Sequence, residues 1–187
     1  MLRVSIFSLI LFLPLAAYAQ EVKTWQEANR LSSEHYAAGL AEDAALMAQR
    51  AAELYPVQSK TYNALNHAQL IMNAYDLVYK SEGRKAGAEY LSHALSEFDH
   101  RVGFNNVAAA PLASELGKFY AFASEFEKSN RYCQRACSLA DQHWGEDDPQ
   151  SIRYLLEWAH DLRAYRGANW ARTSLNQAKE RAQAYGE

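Results

Sequence analysis

Three columns of small or apolar residues recur through the chain every 42 to 43 residues, and they restrict the fold more than any other feature of the sequence. Ala51, Ala94, Ala136 and Ala178 form one column. Seven residues before each stand Ala44, Gly87, Ser129 and Ala171, and between the two lie Ala48, Leu91, Cys133 and Leu175. Positions seven apart sit two turns from each other on one face of a helix. Small side chains at both positions let a neighbouring helix come close. Each of the four copies therefore contains a helix with a narrow face that packs against a partner.

The partner helices lie upstream. Leu31, Ala74, Leu116 and Trp158 form a fourth column, and Ala28, Ile71, Ala113 and Leu155 a fifth, three residues earlier. This spacing gives the first helix of each pair an apolar stripe. The expected helices are 23–37 and 41–55, 59–81 and 84–99, 109–125 and 127–142, and 149–165 and 168–184. Gly39, Gly83, Gly145 and Gly167 accept the positive φ of a helix end, Pro56 stops a helix, and Asp148 before Pro149 reads as an N-cap followed by a first-turn proline. No period-two alternation competes for a strand. The fold class that follows is all-α: an α-solenoid of about four antiparallel helix pairs, each too small to hide its own apolar side. The copies run approximately 23–56, 59–99, 107–142 and 149–185, within one domain over 20–187.

Residues 1–19 have a different character. Arg3 precedes an apolar run over 4–15 that only Ser5, Ser8 and Pro14 interrupt, and Ala17-Tyr18-Ala19 follows with small residues at both ends. This is the pattern of a secretory signal peptide cleaved near Ala19-Gln20. The run is too short to span a hydrocarbon layer of about 30 Å. No cysteine follows it, so no lipid anchor and no stable membrane anchor are expected after cleavage. The absence of paired arginines points to Sec export in a bacterium, with the periplasm as destination and full secretion as the alternative. A net charge of −3 offers no basic stripe, so nucleic acid is not an expected partner.

The repeat pattern resembles tetratricopeptide repeats. Gly39, Ala44, Ala51 and Pro56 of the first copy match that family's turn glycine and its small-x6-small-x4-Pro segment. The fourth copy, from Gly145 and Pro149 through Gly167 and Ala171 to Ala178, is similar to the longer 42-residue repeats of kinesin light chains. Two departures stand in the middle copies: Gly87 replaces the usual Ala, and Ser124 stands where the turn glycine would be. The resemblance implies a right-handed superhelix whose first helices line a concave groove that takes peptides or protein surfaces, with no catalytic centre and no cofactor.

Projected onto these copies, the groove positions are Asn29, Arg30 and Ser33 in the first copy and Met72, Asn73, Asp76, Tyr79 and Lys80 in the second. The third supplies Glu115, Lys118 and Phe122, and the fourth Glu157, His160 and Arg163. The two amides both donate to and accept from a peptide backbone. Met72, Tyr79 and Phe122 add apolar contact. Charge of both signs argues against a clamp for a single carboxylate.

Other chemistry finds less support. Cys133 and Cys137 lie four apart and share a helix face, either as a labile thiol pair or as two small core residues, and Cys133 stands in an inward column. The six histidines, His35, His67, His93, His100, His143 and His160, form no metal-ligand spacing; His93 and His100 share a face with Glu97. No nucleophile elbow or phosphate-cradling loop occurs. Trp25, Trp158 and Trp170 fall near helix-packing positions. Trp170, Leu175 and Tyr185 give the last helix a partly apolar outer face, which suits a homo-oligomer contact. The leading expectation is thus an exported protein- or peptide-binding scaffold and no enzyme. A structural homo-oligomer packing through its C-terminal end is the alternative, and a thiol redox sensor or enzyme at Cys133 and Cys137 is the third reading.

Overall fold

Eight α-helices and one 3-10 turn make up the regular structure among the described residues of the computed structural model, which are 22–57, 59 and 62–185. The expected leader, residues 1–19, lies outside them. The helices pair as α1 (Trp25–Ala37) with α2 (Ala41–Leu54), α3 (Ala64–Glu82) with α4 (Arg84–Val102), α5 (Ala110–Phe122) with α6 (Phe126–Trp144), and α7 (Pro149–Arg166) with α8 (Ala168–Tyr185). Successive helices pack on one another throughout, as in a solenoid. No described helix is long and apolar enough to cross a membrane.

Side-chain caps account for several of the helix starts. The Thr24 hydroxyl accepts from the Glu27 N–H (3.3 Å), the Asn63 amide oxygen from the Asn66 N–H (3.1 Å), and the Asp148 carboxylate from the Gln150 N–H (2.8 Å). The cap at Asn63 moves the start of α3 to Ala64, later than the expected 59. The third pair begins with a 3-10 turn, Val107–Ala109, and its first helix stops at Phe122, short of 125. Helices α4 and α6 run on to Val102 and Trp144, past the expected 99 and 142, and end at Gly103 and Gly145, whose φ angles are 105° and 99°.

The turns inside the pairs alternate between two designs. In the second and fourth pairs a single residue, Gly83 or Gly167, separates the helices with φ of 93° and 99°. The first and third pairs use three residues closed by matching hydrogen bonds. Leu40 N–H reaches His35 O (2.9 Å) in one, and Glu125 N–H reaches Tyr120 O (2.8 Å) in the other. The left-handed residue of these turns is Gly39 at φ 78° and Ser124 at φ 61°. Ser124 thus occupies the glycine position and takes up the glycine conformation.

The small-residue columns face inward. Ala44, Gly87, Ser129 and Ala171 are all buried, as are Ala28, Ile71, Ala113 and Leu155. Leu175 departs from its column and is 41% exposed, because no described helix covers that side of α8. Trp170 departs likewise: it is 54% exposed, with the Arg166 guanidinium 3.4 Å above its ring, whereas Trp25 and Trp158 pack against the core as expected. Two glycines record close helix approaches. A Cβ on Gly87 would stand 3.1 Å from the Cβ of Tyr79, and one on Gly117 only 2.3 Å from the sulfur of Cys133.

His67, 3% exposed, ties the first two pairs together. Its Nε2 lies 3.1 Å from Ala52 O, a group that only accepts, so Nε2 carries the proton. Nδ1 then accepts from the Tyr62 hydroxyl (3.2 Å). Burial lowers the His67 pKa and outweighs the opposing effect of the Ala52 carbonyl, so the ring is neutral near pH 7. It is a structural histidine stacked on Tyr55 (5.3 Å, 20°) and tilted against Phe98.

Candidate functional site

The first helices of the second and third pairs, α3 and α5, bring five of the expected groove residues around one hollow of 280 Å³, which α7 of the fourth pair closes. These are Asp76 and Tyr79 from α3 and Glu115, Lys118 and Phe122 from α5. Four further residues complete the lining: Tyr75, Phe119, Tyr165 of α7, and Arg84 from the first turn of α4. The helical stripes explain the arrangement. Tyr75 and Tyr79 are one turn apart, as are Glu115, Lys118/Phe119 and Phe122, so each helix turns one row of side chains toward the opening.

The walls are aromatic. Tyr75 and Tyr79 lie 6.2 Å apart at 44°, and Phe122 meets Tyr165 edge-on at 5.8 Å and 88°. Arg84 bridges the two sides: its guanidinium sits 3.7 Å from the centre of the Phe122 ring and donates to the Tyr79 hydroxyl (3.3 Å). Burial raises the Tyr75 pKa, with Glu115 and Asp76 adding to it, so the phenol stays a hydrogen-bond donor.

The charged floor is a network. Lys118 Nζ donates to Glu115 Oε1 at 2.7 Å and lies 3.6 Å from Glu157 Oε2, which also accepts from the Ser114 hydroxyl (3.0 Å). Burial by itself would lower the Lys118 pKa. The bond to Glu115 and the charges of Glu115, Glu157 and Asp161 outweigh it, so the ammonium is held above its usual range. Asp161 is buried, and burial raises its pKa against the pull of Lys118 and His160; its Oδ2 has no hydrogen-bond partner. Glu157 therefore joins the floor as a support for Lys118. Asp76 is exposed and carries no ion pair among the described residues, which leaves its carboxylate available to a visitor.

The other projected positions lie elsewhere. Asn29 offers its backbone carbonyl to the Ser33 hydroxyl (3.2 Å), and Arg30 pairs with Glu34 (2.5 Å), so the first copy presents a self-satisfied surface. Lys80 extends over the Tyr36 ring at 5.3 Å and so links the first and second pairs. Asn73 accepts from Gln69 (2.9 Å), and Met72 is half-buried against the core. His160 and Arg163 are exposed on α7, with His160 Nδ1 3.6 Å from Asp161. None of these eight lines the hollow. Tyr75 and Phe119 carried a signal in their helical spacing, one turn from residues already assigned to the groove, whereas Tyr165 did not. Arg84 carried none, since it belongs to a second helix and reaches the site only through the one-residue turn at Gly83.

Cys133 and Cys137 are unbonded and buried. Burial pushes both thiols up to about 12, with smaller contributions from Asp161 and Asp141 respectively. Such thiols hold little thiolate at neutral pH and behave as small apolar side chains. Among the described residues no group of histidine, cysteine and acidic side chains is placed to hold a metal ion.

No known family profile matches the chain, and no curated protein is similar to it. Among solved structures it is similar to the crystal structure of BtubC (BKLC) from P. vanneervenii, with a TM-score of 0.63 and 17% identity over 91% of this chain and 70% of that one. At that identity the likeness is one of fold, and it agrees with a helical repeat of the tetratricopeptide type built from consecutive helix pairs.

Proposed function

We propose that this chain is an exported interaction scaffold of the bacterial cell envelope that holds a peptide or protein segment in the hollow between α3, α5 and α7. The observation that carries this reading is the convergence there of five aromatic rings with a free carboxylate, Asp76, an ammonium, Lys118, and a guanidinium, Arg84. Rings give apolar contact at low entropic cost, and the flanking polar groups orient a chain that enters. The pieces come from three consecutive pairs, so the site depends on the stacked repeat. A helical-repeat fold of this kind fits binding better than catalysis.

The apolar leader over 4–15 and the Ala17-Tyr18-Ala19 segment support export to the periplasm. A second reading rests on Trp170, Leu175 and Tyr185, which are exposed on α8 and suit self-association through the C-terminal end. The buried, unbonded cysteines lend no support to a thiol-based activity.

Affinity capture from an envelope fraction tests the proposal. The same captured proteins should be lost with Asp76→Lys and with Phe122→Glu and retained with Trp170→Glu, and the recovered chain should begin at Gln20. Retention by both hollow variants together with loss by the α8 variant would move the binding surface to the end of the repeat.

A further inference from the structure

A second opening lies on the other side of Phe119, Phe122 and Arg84, between the second helices α4 and α6. It exists because the joint between the second and third pairs is incomplete. Helices α2 and α3 pack along their lengths, whereas α4 and α5 meet over a short stretch. The 3-10 turn Val107–Ala109 is wedged into the joint, with Ala108 and Ala109 wholly buried. Beyond the wedge, α4 and α6 diverge and leave a cleft of two lobes, 790 and 620 Å³, that share Ser92, Ser96, Tyr120 and Lys128. From Lys85 to Asp99 the α4 wall measures about 21 Å at 1.5 Å per residue, enough for several residues of a docked chain. The stacked rings of Tyr120 and Tyr132 (5.5 Å, 8°) lie along the opposite wall.

The charges in this cleft are unbalanced in a specific way. Five basic side chains and three acidic ones line it, in a chain whose net charge is −3. Each acid is already engaged: Glu89 with Lys85 (3.7 Å), Glu125 with Lys128 (2.5 Å), and Asp99 with Arg135. Arg84 and Arg131 remain without a carboxylate among the described residues. Among the described residues Arg131 is exposed and makes no ion pair or hydrogen bond, and Arg84 is satisfied by Tyr79 and the Phe122 ring. A free guanidinium, Arg131, and one held only by a phenol and an aromatic ring, Arg84, in an aromatic-walled cleft favour a visitor that brings carboxylates. A nucleic acid backbone would need a longer run of free cations than two.

We infer that the α4–α6 cleft is a second docking site, for an acidic segment of a partner protein whose carboxylates reach Arg84 and Arg131. Arg84, Phe119 and Phe122 line both this cleft and the hollow between α3, α5 and α7, whereas Arg131 lines the cleft and not the hollow.

Panning a display library of random 16-residue peptides against the whole chain tests the inference, run in parallel on Arg131→Glu, Arg131→Lys and Asp76→Lys. Because the Arg131 side chain is exposed and makes no hydrogen bond or ion pair among the described residues, its replacement should leave the helical circular dichroism unchanged. The expected result is a class of acidic peptides that binds the unaltered chain, Arg131→Lys and Asp76→Lys but binds Arg131→Glu at least about tenfold more weakly, with affinity that falls as salt rises. Selection of basic or neutral peptides only, or acidic peptides indifferent to Arg131→Glu, would overturn it. So would acidic peptides indifferent to Arg131→Glu and bound more tightly by Asp76→Lys, since they would belong to the hollow. Concentration-dependent self-association abolished by Arg131→Glu would overturn it as well, making a second copy the occupant.

Discussion

Gly117 sets how closely α5 and α6 approach. A Cβ there would stand 2.3 Å from Cys133 Sγ and 3.3 Å from the Cys133 backbone nitrogen, and the backbone cannot give way as a flexible side-chain end can. Alanine is normally the better helix former by about 1 kcal/mol. Overpacking a tight contact costs about 1–3 kcal/mol, so Gly117→Ala should lower stability despite its helical advantage. Adding Cys133→Ala removes the sulfur and should return part of the loss. Urea unfolding of the single and double variants measures both steps. An unchanged midpoint for Gly117→Ala would mean the helices have more room than the contact distances imply. The inward face of Cys133 could be read from its column, because periodicity reports which way a residue points. Gly117 could not, because its constraint comes from a helix distant in the sequence. Gly87 is the mirror case: the departure from alanine was visible, but its cause, the Cβ and Cα of Tyr79 on the facing helix, was not.

At the level of elements, the alternation of turns has a consequence at Ser124. Its turn closes with the same hydrogen bonds as the one at Gly39, yet its φ of 61° is a conformation that costs a residue with a Cβ. The Ser124 side chain is exposed and makes no hydrogen bond among the described residues that would offset this cost. Ser124→Gly should therefore stabilise the chain by about 0.5–1 kcal/mol, the relief of strain exceeding the extra backbone freedom glycine has when unfolded. Chemical denaturation reads the sign directly, and a lower midpoint would show that the entropy of the unfolded glycine outweighs the strain. The existence of the eight described helices was legible from the spacing of small and apolar residues together, and the start at Asp148 from its capping chemistry; the cap at Thr24 was not read from the sequence. The start of α3 was not, since Ser59 to Asn63 contains residues that helices tolerate and only the Asn63 cap decides the boundary. The hollow was half legible for a related reason. Residues on first helices follow the repeat, so Asp76, Tyr79, Glu115, Lys118 and Phe122 could be placed. Arg84 and Tyr165 enter through how pairs are set against each other, which spacing does not report.

Across the whole molecule, the joints between pairs are unequal. The first and second pairs share the long α2–α3 contact and the His67 bridge, and the third and fourth share contacts of α7 with both α5 and α6. The second and third are held mainly through the 3-10 turn, the short α4–α5 contact and the Arg135–Asp99 pair. In a linear repeat the folding units cooperate only as far as their interfaces couple them. Weakening this joint should therefore divide the chain into two halves before it weakens either half. Ala109 is wholly buried in the wedge, and Ala109→Leu would overpack it at a cost of about 1–3 kcal/mol. The tryptophans make the outcome readable: Trp25 stands in the first pair, while Trp144, Trp158 and Trp170 all belong to the last two. In the unaltered chain, unfolding followed by tryptophan fluorescence and by helical circular dichroism should coincide. In Ala109→Leu the two curves should separate, with fluorescence tracking the C-terminal half. If both curves shift together and still superimpose, the coupling between the second and third pairs is stronger than their sparse contact implies, and the open cleft between α4 and α6 does not mark the weak point of the repeat.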